Sequence, residues 1–470
     1  MRSLLTLQRG AWTHDVRLGY YTLQNMTLRF PSTGAGPIHA RRAIRMKVLI
    51  LGSGAREHAL AWAFDRSKRN TGLFCLPGNA GTEDIALNLT GDPSDPLAVM
   101  GAWRATGADL VVIGPEAPLA AGVADALRTE GARVFGPGAE SARLESSKSF
   151  ARAFSDRAGV PSARTVHFQR LADFERWLSE SRDGQVPGAP FSGRLVLKKS
   201  GLAAGKGVLE SDDRSELRSF ARLILADDEL LVEEYLTGYE LSVFALTDGK
   251  NYLILPACAD HKKAHPGDVG PNTGGMGAVC PVPTADRTLI DRIDREIVAP
   301  TFRQIARELL GYRGVLFFGI MVTAEGPRLL EYNVRLGDPE SQSLLPLLSS
   351  DIGDLFDAVA GGSVADVRPT FRDESAVGIT VAAPGYPIDY PKGIPVESLP
   401  DMDGSSLVFH AGTVRDRKRG LVTGGGRCFT VVGLGDDYFE AHGRAVDAAR
   451  KVRFEGSWFR PDIGKSFFLD

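Results

Sequence analysis

At 470 residues the chain is too long for one ordinary core and calls for about three domains. Hydrophobic residues at 43% and charged residues at 24% describe a globular protein that needs no metal or disulfide staple to fold. A net charge of -3 leaves no basic footprint for nucleic acid, and no apolar run reaches the ~18 residues of a membrane span. Cys75, Cys258, Cys280 and Cys428 form no CxxC pair, which argues against a zinc site or a disulfide framework and fits a reducing, cytoplasmic compartment.

The first 45 residues carry Arg2, Arg9, Arg17, Arg29, Arg41, Arg42 and Arg45 against a single acid, Asp15, and lack the apolar stretch of a secretory signal. Two readings stand: an organelle transit peptide, or untranslated sequence ahead of a true start at Met46. Few serines and no clear amphipathic pattern favour the second, and residues 1–45 are set aside as an extension.

From Met46 the pattern is strand, glycine turn, helix: Lys47 to Leu51, then Gly52-Ser53-Gly54, then Arg56 to Phe64 with apolar residues at helical spacing. Strand-like stretches at Leu73 to Leu76, Asp109 to Ile113 and Arg133 to Phe135 each run into a turn of Gly and Pro. Short apolar strands alternating with helices predict a Rossmann-like parallel α/β domain over 46–147, with its ligands beyond the carboxyl ends of the strands. After Lys148 a mixed α+β region follows to about 365, with a Gly/Pro-rich loop at 184–193 and strands near 194–197, 230–233 and 241–246. A smaller α+β block over 366–470 closes the chain.

Two glycine loops invite familiar readings that fail. In Gly52-Ser53-Gly54-Ala55-Arg56-Glu57 the third glycine of a dinucleotide fingerprint falls at Glu57, and the second strand ends in Cys75-Leu76-Pro77 without the acid that holds a ribose. What remains is either a helix N-terminus whose free N–H groups suit a phosphate, or a plain tight turn. Gly201-Leu202-Ala203-Ala204-Gly205-Lys206-Gly207 lacks the first glycine and the hydroxyl of a Walker A loop. Lys206 can still fold over triphosphate oxygens, although a solvated lysine in a glycine hairpin would look the same.

Taken together, GSGAREHALAW (52–62), LPGNAGT (76–82), VIGPEAPL (112–119), VFGPG (134–138), SSKSFA (146–151), LVLKKSGLAAGKGV (195–208), VEEYLTGYELS (232–242), ADHKKAHPGDVGPNTGGMGAV (259–279), RGVLFFGIM (313–321) and LLEYNVRLGDPESQ (329–342) closely resemble the phosphoribosylamine–glycine ligases, or glycinamide ribonucleotide synthetases, of the ATP-grasp superfamily. The order and spacing hold from Met46 onward. Departures are small: Lys199 and Ser200 follow Lys198 where alanine and aspartate or serine are usual, and Ala55 replaces a usual glycine. Lys199 is expected to point outward from its strand with little effect.

The resemblance implies a two-lobed ATP-grasp domain over 148–365, with a mobile lid at about 164–235, between the amino-terminal and carboxy-terminal domains. It implies ligation of glycine to 5-phosphoribosylamine by a monomer, through glycyl phosphate, with ATP and Mg2+ or Mn2+. Lys148 and Lys198 would contact the α and β phosphates, and Lys206 would close over them. Glu233, Glu234, Tyr235 and Leu236 would form the hinge against adenine, and Glu240 would hold the ribose hydroxyls. Glu331 and Asn333, two apart on a strand and therefore on one face, would take the metal. Glycine would lie near Asp260, Lys262 and Arg335; the phosphoribosylamine phosphate on Gly52, Ser53 and Gly54; its sugar near Asn79 and Glu116; and Asn272 in a loop shaping the acceptor pocket. His58 and His261 are declined as general bases, because a neutral amine is already nucleophilic and a packed histidine is commoner. Two alternatives remain: another carboxylate–amine ligase or carboxylase of the same fold, or a non-catalytic nucleotide sensor.

Overall fold

The computed structural model describes residues 45–180, 193–202, 207–308, 311–402 and 404–468. The expectations for the amino-terminal extension, for most of the 184–193 loop and for Lys206 lie outside the described residues.

The amino-terminal sheet is parallel and runs Leu87–Asn88, Asn70–Pro77, Met46–Gly52, Leu110–Ile113, Val134–Phe135 in spatial order. Val48, Leu49, Ile50 and Leu51 are all buried, which is why the first strand reads as a continuous apolar run and not as an alternation. Helices on its faces, Ala55–Asp65 among them, give the α/β layers expected from the sequence.

Two antiparallel sheets follow. The first, Thr165–Phe168, Leu230–Glu234, Leu195–Lys199 and Val208–Ser211 in spatial order, carries helices Leu171–Glu180 and Arg214–Ile224. Phe174, Leu178, Leu217, Ala221 and Ile224 from these helices meet Leu195, Leu197, Leu230 and Val232 from the strands in a small core of its own. The second sheet, Tyr252–Ile254, Tyr239–Thr247, Gly314–Thr323 and Gly326–Asn333, belongs to the large core of the molecule. These are the two lobes of the ATP-grasp region.

The carboxy-terminal sheet crosses the boundary expected near residue 365. Ala259–Asp260 and Gly277–Cys280 extend it through Ser375–Ala382, with Gly277 opposite Ile379 and Cys280 opposite Ala376; Arg427–Gly435 and Ser406–His410 continue it. Gly277 has φ +155°, and a Cβ there would lie 2.3 Å from the carbonyl oxygen of Gly378, so this junction requires glycine. Sequence order therefore conceals that the strand carrying Asp260 is built into the last domain.

Phe135, at the edge of the amino-terminal sheet, stacks on Phe356 of helix Ile352–Gly361 with ring centroids 3.8 Å apart, and both rings are buried. Phe356→Ala should cost ~3–5 kcal/mol by opening a cavity between segments far apart in sequence. A urea titration of the full chain should show its midpoint displaced downward by that free energy divided by the slope m.

Candidate active site

Ser147 caps the helix Lys148–Ala158 by accepting from the N–H of Phe150, and this cap sets Lys148 at the first helical position, facing inward. Lys198 sits on the lid strand Leu195–Lys199; its Nζ lies 2.7 Å from Glu233 Oε2 and donates across to the carbonyl of Leu330 at 3.4 Å. The Leu330 strand brings Glu331 and Asn333 to the same place, where the Asn333 amide approaches Glu331 Oε1 at 3.5 Å. Lys148, Lys198, Glu331 and Asn333 share one cleft of about 730 Å³. Glu233, Glu234, Tyr235, Leu236, Glu240, Asp260, Lys262, Asn272, Glu116 and Arg335 line it too.

The charges in this cleft bind one another. Burial alone would raise the Glu331 carboxyl, but Lys262, Lys198 and Lys148 outweigh it and bring it down to about 2. Burial lowers the Lys148 ammonium; Glu331 opposes the shift and the neighbouring Lys198 adds to it, and the net direction is down. For Lys262, Glu240 at 2.5 Å together with Glu331 and Asp260 outweighs burial and holds the ammonium above the usual lysine range. Glu240 is thus ion-paired to Lys262 beside the position expected for ribose. Glu234 turns its side chain to Arg164 at 2.7 Å.

Asp260 is different in kind. Its Oδ1 is buried with no hydrogen-bond partner, and burial, aided by Glu340, pushes its carboxyl well above the usual range despite Lys262. A buried acceptor without a donor is costly unless something supplies one. Arg335 donates to Asn333 Oδ1 at 3.0 Å and to the carbonyl of Leu336, and pairs with Glu145 at 2.9 Å, while its Nε has no hydrogen-bond partner and stands 3.6 Å from Glu116. The fork assigned by resemblance to a substrate carboxylate already holds one from the protein.

Gly52, Ser53, Gly54 and Asn79 do not line this cleft. Of the N–H groups expected to be free at this helix N-terminus, that of Gly54 is not: it donates to Glu57 Oε2 at 2.5 Å, so the protein's own carboxylate takes that donor. Asn79 is buried and fully engaged, donating to the carbonyls of Ser53, Gly54 and His410 and accepting from the N–H groups of Gly81 and Thr82. It shapes the turn. Lys199 does not line the cleft with Lys148 and Lys198; its Nζ lies 3.6 Å from both Asp227 and Asp228.

Sequence reasoning passed over Glu145, Glu340 and Asp338. Glu145 accepts from the Val334 N–H at 2.8 Å, and Glu340 accepts from Ser242 Oγ at 2.8 Å. Asp338 and Glu340 lay inside the quoted GDPESQ string, which was a signal; Glu145 ends up here only through folding.

Three family models account for most of the chain: the phosphoribosylglycinamide synthetase N domain over residues 46–145, its ATP-grasp (A) domain over 146–341 and its C domain over 376–466. The chain belongs to the phosphoribosylglycinamide synthetase family. It is 41% identical over 429 residues to the phosphoribosylamine–glycine ligase of Rhodopirellula baltica, covering 89% of this chain and 97% of that protein. It is 42% identical to the Streptomyces coelicolor ligase over 423 residues, 89% and 98% of the two chains. The crystal structure of the Thermotoga maritima ligase superposes with a TM-score of 0.74 at 33% identity, over 89% of this chain and all 100% of that one. A biotin carboxylase from Campylobacter jejuni, 15% identical, reaches a TM-score of 0.66 over 91% of this chain and 96% of its own, a likeness of fold.

The two declined histidines serve as struts in this family member. His58 Nδ1 accepts from the His410 N–H at 2.9 Å, and His261 Nε2 accepts from the Gly464 N–H at 2.8 Å. Burial and the nearby His410 lower His58 from 6.5 to about 3, and burial lowers His410 to about 4. Below pH 6.5 the unfolded chain takes up protons that these folded imidazoles refuse. Stability should therefore be level above that pH and decline below it, by on the order of 1 kcal/mol per pH unit per histidine until the folded groups titrate. Thermal melting from pH 7.5 to 4.5 should show the decline, and His58→Asn should make it shallower.

Proposed function

We propose that this chain couples ATP hydrolysis to the ligation of glycine and 5-phosphoribosylamine, giving glycinamide ribonucleotide, ADP and phosphate in purine biosynthesis. The observation that carries the reading is the convergence of Lys148, Lys198 and Lys262 on Glu331, in the same cleft as Asp260, whose buried Oδ1 has no donor. Family membership supplies the substrate pair.

A carboxylate oxygen of glycine attacks the γ-phosphorus of ATP and ADP leaves; the amine of phosphoribosylamine then attacks the glycyl carbonyl, phosphate departs, and the nitrogen loses a proton. The first step brings two anions together, so the protein must neutralise charge and hold an in-line approach. Lys148 and Lys198 would meet the phosphates, Lys198 exchanging Glu233 for phosphate oxygens, and Lys206 would follow from its loop. The backbone at Glu234 and Leu236 would face adenine, with Tyr235 beside it. Asp260 would accept from the glycine ammonium, which gives its buried oxygen the donor it lacks and favours its ionised form. Lys262 keeps Glu240 and Asp260 apart. Asn272 and Glu116 would border the acceptor.

A divalent cation, Mg2+ or Mn2+, would be held by Glu331 and by the Asn333 amide oxygen, which would give up its hydrogen bond from Arg335 to do so. Among the described residues no group of three His, Cys, Asp or Glu forms a metal cluster. One ionised carboxylate and one amide on a single face nonetheless suit a cation whose other ligands are phosphate and water. When bound it would offset phosphate charge. Among the described residues no helix is long and apolar enough to cross a membrane, and the four free, buried cysteines support a cytoplasmic setting.

ADP release over many turnovers, measured with each substrate omitted in turn, tests the reading: sustained release should require both glycine and phosphoribosylamine. Release without the amine, or with bicarbonate in place of glycine, would favour a different ligase or carboxylase, and ATP binding without turnover would favour a sensor.

Lys198→Ala should lower kcat on the order of a hundredfold at saturating ATP, as loss of a contact that stabilises transition-state charge does. Glu331→Gln should move the metal titration of activity to higher concentration, and a superimposable titration would remove Glu331 from the ligand set.

A further inference from the structure

We propose that Arg427 and Tyr386, both from the carboxy-terminal domain, are positioning residues for the amino-acid pocket and act through the Gly274–Gly275 turn beside Asp260. The inference rests on the functional reading above. Neither side chain lines the cleft, yet together they hold one of its lining residues, Gly274, by both its N–H and its carbonyl. The Gly274 N–H donates to the Tyr386 hydroxyl at 3.0 Å, and the Gly274 carbonyl accepts from Arg427 Nη1 at 2.5 Å. The same nitrogen donates to the carbonyl of Asp338 at 2.8 Å and lies 3.4 Å from Asp338 Oδ1. Arg427 therefore ties the glycine turn to the loop that also presents Glu340.

The turn matters because of what it stands against. Gly275 has φ +110°, and a Cβ there would lie 2.8 Å from Asp260 Oδ1 and 2.4 Å from Pro339 Cδ. The turn thus forms the wall in front of the one buried carboxylate oxygen in the cleft that has no donor. Thr380, also from the carboxy-terminal sheet, reinforces it: its N–H donates to the Met276 carbonyl at 2.9 Å. Displacement of this turn by an ångström would open or fill the space that a small ammonium must occupy, and misplacement on that scale is enough to affect turnover strongly. The nucleotide contacts at Lys148, Lys198 and the hinge belong to other elements and would be left in place.

Steady-state kinetics on the full chain test this with Arg427→Met, Arg427→Lys and Tyr386→Phe, with thermal melting recorded for each. Arg427→Met should raise KM for glycine on the order of tenfold, with KM for ATP within about twofold of wild type, as loss of charge-assisted hydrogen bonds at one subsite implies. Arg427→Lys should recover part of the loss. Tyr386→Phe removes a single hydroxyl and should raise KM for glycine about threefold in a chain that melts as wild type does. Parallel rises in KM for glycine and ATP would show a merely structural role and overturn the proposal. So would an unchanged KM for glycine in folded Arg427→Lys and Tyr386→Phe. Wild-type chain that turns over without glycine would bring down the functional reading and this inference with it, whereas glycine-dependent wild type with unaltered variants would overturn the inference alone.

Discussion

Three lysines drawn into one partly buried cleft are a standing electrostatic problem, and the architecture around them follows from how it is resolved. Lys148, Lys198 and Lys262 come from a helix terminus, a lid strand and the segment just after the Ala259–Asp260 strand, and each would repel the others if its surroundings were apolar. Glu331, Glu233 and Glu240 answer them: Glu331 is held ionised by all three lysines, and Glu233 and Glu240 form direct ion pairs. The arrangement pairs each cation with a carboxylate, and the proposed function asks these cations to exchange that partner for phosphate oxygens.

That exchange suits a two-lobed clamp. Lys198 and Glu233 share the lid sheet, whose hydrophobic core is separate from the main core among the described residues. A long hydrogen bond from Lys198 to Leu330 and the attraction between Lys198 and Glu331 link this pair to the central strand. The amino-acid side of the cleft rests on a different foundation. Asp260 belongs to a strand of the carboxy-terminal sheet, and the turn before it is fastened by Arg427, Tyr386 and Thr380. Lys198 with Glu233 and Asp260 with its glycine turn thus sit on separately supported elements, as the proposed division into a nucleotide side and an amino-acid side asks.

The amino-terminal domain contributes by buried polar packing more than by open donors. Glu57 caps its own helix and pairs with Arg56 at 2.7 Å, Arg56 reaches the carbonyl of Leu336, and Asn79 ties the first two glycine turns to His410. Burial would weaken the Arg56 cation, but Glu57, Asp338 and Glu116 keep it firmly protonated. These bonds run from the first domain to the loop after Asn333 and to the last domain, so a motif that reads as a phosphate seat also serves as a joint between domains.

Much of this was legible before folding. The strand–turn–helix rhythm from Met46 and several lid and central strands were readable because local periodicity is written in consecutive residues, whereas Lys148, Lys198, Asp260, Glu331 and Asn333 stood out only through motifs resembling a family's. Folding decided what those residues face. That Arg335 grips Glu145, that Asp260 is built into the carboxy-terminal sheet, and that Asn79 and the Gly54 N–H are occupied from within depend on partners up to hundreds of positions apart. Chain order carries no direct record of which donor finds which acceptor, because burial and geometry settle that competition only once the domains have packed.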